Sequence, residues 1–495
     1  MASIVFVNSP TQLYSESGRI EKYTTIPPYG LAYVATVAIE VLGKDQVKLI
    51  DGEHLGLSPE NLASMLLVTS ADYIGMNVTS PNFHIVKQVI KLVGGKLSDQ
   101  RIFLGGPHAI LSPEEILADR EIRDHILFVC TGEGEEPIRM FLSGVPLSQI
   151  PGIAYNSGSE IVVKPRHITP QNDIDNLIVD RGLFANEPNV WQDGHTVEAH
   201  LVSSRGCPYT CAFCAAPEMV ERKVRIRSAK ALQTEIECLL KEGVNYIRFI
   251  DDLLIISKKR IRELYSIFTM LGINRSNFGF EANARSNIMA RLTSEYWDML
   301  FEMGLSEIEL GIESGSLRIL QSMLKYSTPT DVICTVDKAI KYGVKIKGFL
   351  MVGYLGETLE DVKLTVNLAR TLKQMAGSKI RFSPVPVKAY PGTLLYQQVE
   401  ALRRKKQICF GDSISVDLSE KLGSALHPSQ VAIVKSRTRY NAMHTVQGNP
   451  IAISELSSGI NTETAFRALS DLILISDNSP SNLLELGQNH IYGRS

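Results

Sequence analysis

A chain of 495 residues that is 44% hydrophobic and 21% charged has the composition of a globular protein, not of a disordered or membrane-embedded one. Its formal net charge of −2 gives no reason to expect nucleic acid or an anionic membrane surface as a partner, and no apolar run reaches the roughly 18–20 residues that span a bilayer. The opening Met1-Ala-Ser-Ile-Val-Phe-Val-Asn lacks the charged and long apolar regions of a secretory signal, so it reads as a first buried strand and the protein as cytoplasmic.

Residues 1–150 alternate apolar runs with helical patterns. Strands are expected at Ile4–Val7, Val47–Asp51, Tyr73–Val78, Ile102–Gly105 and Leu127–Thr131, with helices that include Leu31–Leu42, Pro59–Val68 and Ile85–Lys96. Strands apolar on both faces and joined by helices predict an α/β domain with a doubly wound parallel sheet. Ligands of such sheets sit beyond the carboxyl ends of the strands. The loops there are Asn8-Ser9-Pro10, Thr79-Ser80-Pro81, Gly105-Gly106-Pro107-His108 and Gly132-Glu133-Gly134-Glu135. Alone, these loops suit a nucleotide or a phosphate as well as any larger flat ligand.

Residues 151–198 carry turn and linker chemistry, with a short hairpin near Ile153–Val163. A second alternating series fills 199–395. Its strands are expected at His200–Ser203, Tyr246–Ile250, Phe278–Ala282, Glu307–Ile312, Lys345–Met351 and Lys379–Ser383. The helices between them are Ala229–Lys241, Lys259–Met270, Ser294–Met303, Pro329–Tyr342 and Thr358–Lys373. Six such units predict a partial (β/α)6 barrel with its chemistry at the carboxyl ends of the strands. Residues 396–495 form a mostly helical C-terminal region with helices near Ser429–Met443 and Thr464–Ile475, expected to cover the substrate.

Cysteine usage is the sharpest signal. Cys130, Cys238, Cys334 and Cys409 are scattered and read as small buried hydrophobes. Cys207-Pro-Tyr-Thr-Cys211-Ala-Phe-Cys214 follows the first barrel strand directly. Three thiolates on one loop, with no histidine or fourth cysteine nearby, fit structural or catalytic zinc poorly. They fit three irons of a 4Fe–4S cube whose fourth iron stays open.

The spacing Cys-x-x-x-Cys-x-x-Cys with Phe213 before the last cysteine resembles the radical S-adenosylmethionine (SAM) enzymes. Further matches follow in order: Phe249-Ile-Asp-Asp252, Glu281-Ala-Asn-Ala-Arg285, Gly311-Ile-Glu313-Ser-Gly315, the segment Gly348–Thr358 and Pro391-Gly-Thr393. The resemblance implies that Cys207, Cys211 and Cys214 ligate the cluster and that SAM binds its open iron. It further implies that Asp251 meets the methionyl amino group, Arg285 the carboxylate, Glu313 the ribose hydroxyls and the segment around Gly353 the adenine. An external donor such as flavodoxin or ferredoxin would reduce the cluster.

The N-terminal half resembles the cobalamin-binding domain that precedes the barrel in one branch of this family, through Pro27-Pro-Tyr-Gly-Leu-Ala32, Asp51-Gly52, Gly105–His108 and Gly132–Glu135. That likeness implies cobalamin contacts at Ser80, Gly105, Gly106, Gly132 and Glu133. The loop after the first strand, Asn8–Tyr14, has no histidine to donate to cobalt, and His54 has the wrong spacing. The lower axial position is therefore expected to lack a strong protein ligand. The function implied is methylation of an unactivated carbon of a small-molecule natural product through a 5′-deoxyadenosyl radical and methylcobalamin. A rearrangement, cyclisation or dehydration with the same cofactors is the alternative, and a non-catalytic sensor a more distant one.

Overall fold

The structure is a computed structural model that describes residues 2–11, 26–96, 101–184, 187–191, 193–405 and, beyond them, 468, 469, 471, 472, 475 and 476. The helix expected near Ser429–Met443, and much of the one near Thr464–Ile475, lie outside the described residues. The chain divides into two compact units, Met1–Glu187 with Glu218–Glu221 and Pro188–Pro217 with Arg222–Ser495.

In the first unit, β1 (Ile4–Asn8), β2 (Val47–Asp51), β3 (Tyr73–Asn77), β4 (Ile102–Gly105) and β5 (Ile126–Cys130) pair in parallel in the order β2-β1-β3-β4-β5. Ile4, Val5, Phe6 and Val7 are all buried because both faces are covered. Val5 and Val7 share a core with helices Pro59–Thr69 and Phe83–Gly94, while Ile4 and Phe6 pack with Tyr29–Leu42 and Glu135–Leu142. The chain leaves β1 for β2 on one side and then continues to β3 on the other. That reversal opens a crevice at the carboxyl ends of β1 and β3. The expected hairpin is β6 (Ile153–Ser157) and β7 (Glu160–Val163), and it extends this sheet antiparallel from β5.

The second unit begins with β8 (Asn189–Val190) and β9 (Val197–Leu201), followed by the small pair β10 (Ser204–Arg205) and β11 (Arg225–Ile226). Then come β12 (Tyr246–Phe249), β13 (Gly279–Ala284), β14 (Leu305–Glu313), β15 (Lys345–Val352) and β16 (Ile380–Pro386). Six strands, β9 and β12 to β16, pair in parallel in chain order, with β8 antiparallel at the β9 edge. The result is a curled half-barrel. Its first strand ends two residues earlier than expected, because Ser203 donates its backbone N–H to Asp251 Oδ1 at 2.7 Å instead of to a neighbouring strand.

Outward residues such as Ile247, Phe280, Ile308 and Ile346 join one core with Phe268 and Trp297 from the covering helices. Those helices start where the chain supplies caps: Ser228, Ser257, Thr328 and Thr358 each accept a backbone N–H from the first turn. The alternate residues of the strands make the inner face polar. Arg248 bridges Glu198 and Glu281, Arg381 pairs with Glu307, and Lys347 donates to Glu309 at 2.6 Å. From the C-terminal region, Ala468, Leu469, Leu472 and Ile475 enter the same core, and Ser476 Oγ accepts the N–H of Phe382 on β16 at 2.9 Å.

Candidate active site

The cysteine loop starts from a rigid base. Asp251, just past β12, is 1% exposed and accepts from Ser203 N at 2.7 Å, Ser203 Oγ at 2.6 Å and Ser204 Oγ at 2.5 Å. Burial pushes its carboxyl up against the opposing pull of these hydrogen bonds. The next residue, Asp252, accepts the Gly206 N–H at 2.9 Å. Further along, Ala212 donates to Met323 O at 2.9 Å and accepts from Leu395 N at 2.8 Å, and Cys214 N donates to Cys211 O at 3.0 Å. Distant strands and helices thus fix a loop that has no regular structure of its own.

Cys207, Cys211 and Cys214 border a cavity of about 360 Å³ together with Asp251, Arg285 and Glu313. Of the residues that the resemblance assigns to the cluster or to SAM, the structure therefore brings together all but Gly353. No three His, Cys, Asp or Glu groups among the described residues are placed to hold a single metal ion. The thiols line the cavity wall instead. Burial raises the Cys207 thiol and pushes that of Cys214 to about 12, so loading a metal here must displace protons.

Arg285, at the end of β13, is 6% exposed, and its guanidinium is held on three sides. Nη1 donates to Cys211 Sγ at 3.3 Å, Nε to Asn287 Oδ1 at 3.3 Å and Nη2 to the Lys325 carbonyl. The Tyr209 ring lies against its plane, 3.7 Å from Cζ to centroid. Glu313 closes β14 through an irregularity in the pairing with β15 and adopts φ +62°, a conformation that is costly for a residue with a side chain. The turn aims its carboxylate at Lys325 Nζ, 2.6 Å away, and both side chains are nearly buried. A Cβ on Gly311 would overlap Lys325 Nζ and Glu313 Oε1, so a side chain there would push this pair apart.

Sequence reasoning missed Lys325, Tyr209 and Glu357. Glu357 Oε2 accepts from Gly353 N at 2.5 Å and Tyr354 N at 3.3 Å, and burial pushes its carboxyl up to about 7. It braces the turn at Gly353, whose φ is +91°. The pattern Gly353-Tyr-Leu-Gly-Glu357 held the only signal for that role.

In the first unit the predicted ligand loops do gather at the carboxyl ends of the strands. Gly106 (φ +99°) lets the loop after β4 cross Asn77 and Val78 at the end of β3, where a Cβ would collide. Gly105 has only ordinary contacts. Gly132 packs against the His167 backbone, and Glu133 Oε2 accepts the Thr169 N–H at 2.7 Å. Ser80 Oγ lies 3.0 Å from Nδ1 of His108, a buried histidine that burial holds neutral down to about pH 4.

That histidine makes a pH prediction. Its pKa is lower in the folded state than its ordinary 6.5, so the stability it contributes is present above 6.5 and is lost as pH falls towards 4. Denaturant titrations should show a loss of up to about 3 kcal/mol across that window. The substitution His108→Asn should flatten the loss.

Residues 201–369 match the family model of the Radical SAM superfamily and residues 19–142 that of the B12 binding domain. The chain belongs to the cobalamin-dependent radical SAM family. An uncharacterized methyltransferase of Pyrococcus horikoshii is 27% identical over 76% of this chain and 78% of its own length. The anaerobic magnesium-protoporphyrin IX monomethyl ester cyclase of Cereibacter sphaeroides is 24% identical over 77% of this chain, which spans 62% of that enzyme. The fold is similar to that of the radical SAM methyltransferase TsrM from Kitasatospora setae, solved with cobalamin and a [4Fe–4S] cluster: TM-score 0.63, 17% identity, 81% of this chain and 79% of that one. The Radical SAM domain implies a 4Fe–4S cluster and SAM as cofactors, and the B12 binding domain implies cobalamin.

The residues present fit those groups. Three soft thiols and the cation of Arg285 meet at one cavity wall, as an anionic iron–sulfur cluster requires. At the strand ends of the B12-binding domain, buried Ser9 Oγ and Thr131 Oγ1 have no hydrogen-bond partner among the described residues, so that rim retains donors and acceptors for a polar cofactor. No helix among the described residues is long and apolar enough to cross a membrane.

Proposed function

We propose that this enzyme transfers a methyl group from SAM to an unactivated carbon of a small molecule. The observation that carries the reading is the single cavity where the three cysteines meet Arg285 and the Glu313–Lys325 pair, in a chain that also has a B12-binding domain. When bound, the reduced cluster supplies the electron that cleaves SAM, and cobalamin carries the methyl group.

The chain's own residues orient and enclose the reaction. Cys207, Cys211 and Cys214 hold the cluster, and Arg285, already locked against Tyr209, presents its charge to the methionyl carboxylate. Glu313 has Oε1 on Lys325, and Oε2 remains to accept the ribose hydroxyls. Asp251 anchors Ser203 and Ser204 beneath the loop, and Asp252, with one oxygen on Gly206, offers the other to the methionyl amino group. At the rim of the first unit, Ser80, Gly105, Gly106, Gly132 and Glu133 are the residues we assign to cobalamin. An external donor of the flavodoxin or ferredoxin type delivers the electron.

The likeness to a magnesium-protoporphyrin ester cyclase favours a second reading, ring closure without methyl transfer. Isotopically labelled SAM separates the two. Methyl transfer yields labelled product with both S-adenosylhomocysteine and 5′-deoxyadenosine. Release of 5′-deoxyadenosine alone with an unlabelled product would leave the cyclase-type reading standing and remove the methyltransferase one.

A further inference from the structure

Branched apolar side chains ordinarily fill the interior of a βα barrel. Here three inner positions on β13, β14 and β15 are Asn283, Glu309 and Lys347, paired in register as one polar row. Two residues further along come Arg285, Gly311 and Phe349, at the level where the guanidinium meets Cys211. Asn283 and Glu309 line the same cavity as the three cysteines, directly below that level.

Both side chains present acceptors. Asn283 Nδ2 donates to the Asp251 carbonyl at 2.8 Å, which sets the orientation of the amide and leaves Oδ1 to accept. Glu309 Oε1 accepts from Lys347 Nζ at 2.6 Å, and the Glu309 side chain is 21% exposed. Among the described residues neither Asn283 Oδ1 nor Glu309 Oε2 has a hydrogen-bond partner. Of the ion pair, only Glu309 borders the cavity.

With the cysteines given to the cluster, and Arg285, Glu313 and Asp252 to SAM, these two acceptors are left over on the cavity wall, which Ile250 and Phe349 also line. An anionic and a neutral acceptor on adjacent strands match a protonated amine. It gains a charge-assisted hydrogen bond from the carboxylate and a second bond from the amide. A substrate carboxylate would be repelled by Glu309, and a neutral hydroxyl would forgo the charge-assisted bond.

We propose that Glu309 Oε2 and Asn283 Oδ1 form an amine subsite, and that the substrate is a small molecule carrying a protonated amino group. This assignment deepens the small-molecule reading above and rests on its placement of SAM in the cavity. Glu309 and Asn283 are then specificity-determining residues, and Lys347 tunes the carboxylate from behind.

The test uses the full-length protein reconstituted with its cluster and cobalamin and saturated with SAM, the cluster kept oxidised so that SAM stays intact. Binding of n-hexylamine is compared with that of 1-hexanol and hexanoate by calorimetric titration near neutral pH. The amine should bind about tenfold more tightly than either, and Glu309→Gln should abolish that preference. Lys347→Met should bind the amine about threefold more tightly, because Glu309 then loses its competing cation; a merely structural ion pair would not give this gain. Lys347, 30% exposed, tolerates the change and carries the test should Glu309→Gln fail to fold. Equal affinities for the three probes, or no binding of hexylamine, would overturn the subsite. So would an unchanged preference in Glu309→Gln, a weaker amine affinity in Lys347→Met, or a parallel loss of SAM affinity in Glu309→Gln, which would give the acceptors to SAM. No methyl transfer occurs in this measurement, so an unlabelled product from labelled SAM would remove the methyltransferase reading and leave the amine subsite standing.

Discussion

Replacing Cys211 with alanine is expected to reduce SAM cleavage to background, a loss of at least about a thousandfold, with cobalamin binding retained. Cys211 is the most buried of the three thiols and the one that Arg285 Nη1 contacts at 3.3 Å. Its loss leaves two thiols for a cluster that needs three, and it removes the sulfur that the guanidinium contacts. Iron and labile-sulfide content should fall together with 5′-deoxyadenosine formation in anaerobically reconstituted protein. The cobalamin absorbance of the same sample should match wild type, because the B12-binding match, residues 19–142, ends well before the cysteine loop. An iron-replete Cys211→Ala protein that still cleaves SAM would refute the assignment of the loop.

The second large effect is expected at Glu313. Its carboxylate and Lys325 Nζ form a nearly buried ion pair at 2.6 Å, and each is the other's main compensation. Removing one partner leaves an unpaired charge in a poorly solvated place, at a cost of roughly 3–5 kcal/mol. Glu313→Gln should therefore destabilise the barrel and weaken SAM binding by one to two orders of magnitude, about 1.4–2.8 kcal/mol. Lys325→Met should destabilise it similarly. The double variant Glu313→Gln/Lys325→Met should recover most of the stability, since neither charge is then stranded, yet SAM binding should stay weak. Denaturant midpoints read the first quantity and calorimetric SAM titration the second. Recovery of both in the double variant would show that Glu313 acts on SAM only by holding the fold.

Much of this site was legible in the sequence because its first components are local. Three soft ligands within eight residues announce a metal loop whatever the fold around them. The strands were legible too: β2 and β4 run over the expected residues, and the others shift by a few at their ends. Their apolar runs lie where helices cover both faces, or the outer face, of a parallel sheet, and that burial is written directly in residue type.

The components that were missed depend on long-range placement. Lys325 is twelve residues from Glu313 and reads as an ordinary charged residue after a short helix. Only the turn at φ +62° on Glu313 brings the two together. Tyr209 reads as loop filler until Arg285, from a strand more than seventy residues away, lies against its ring. Gly132 reads as room for a ligand, and only the fold shows that its missing side chain also makes room for the His167 backbone.

The open-sided cysteine loop, the two α/β units and their order along the chain were determined by the sequence itself, because thiol spacing and two-faced burial are properties of short segments. Tertiary structure alone decided that Arg285 contacts Cys211, that Glu313 pairs with Lys325 and that His108 Nδ1 lies beside the hydroxyl of Ser80. Each of these contacts joins segments that meet only when strands align and loops cross at their ends. A buried charge or imidazole takes its chemistry from the group it meets there, not from its neighbours in the chain.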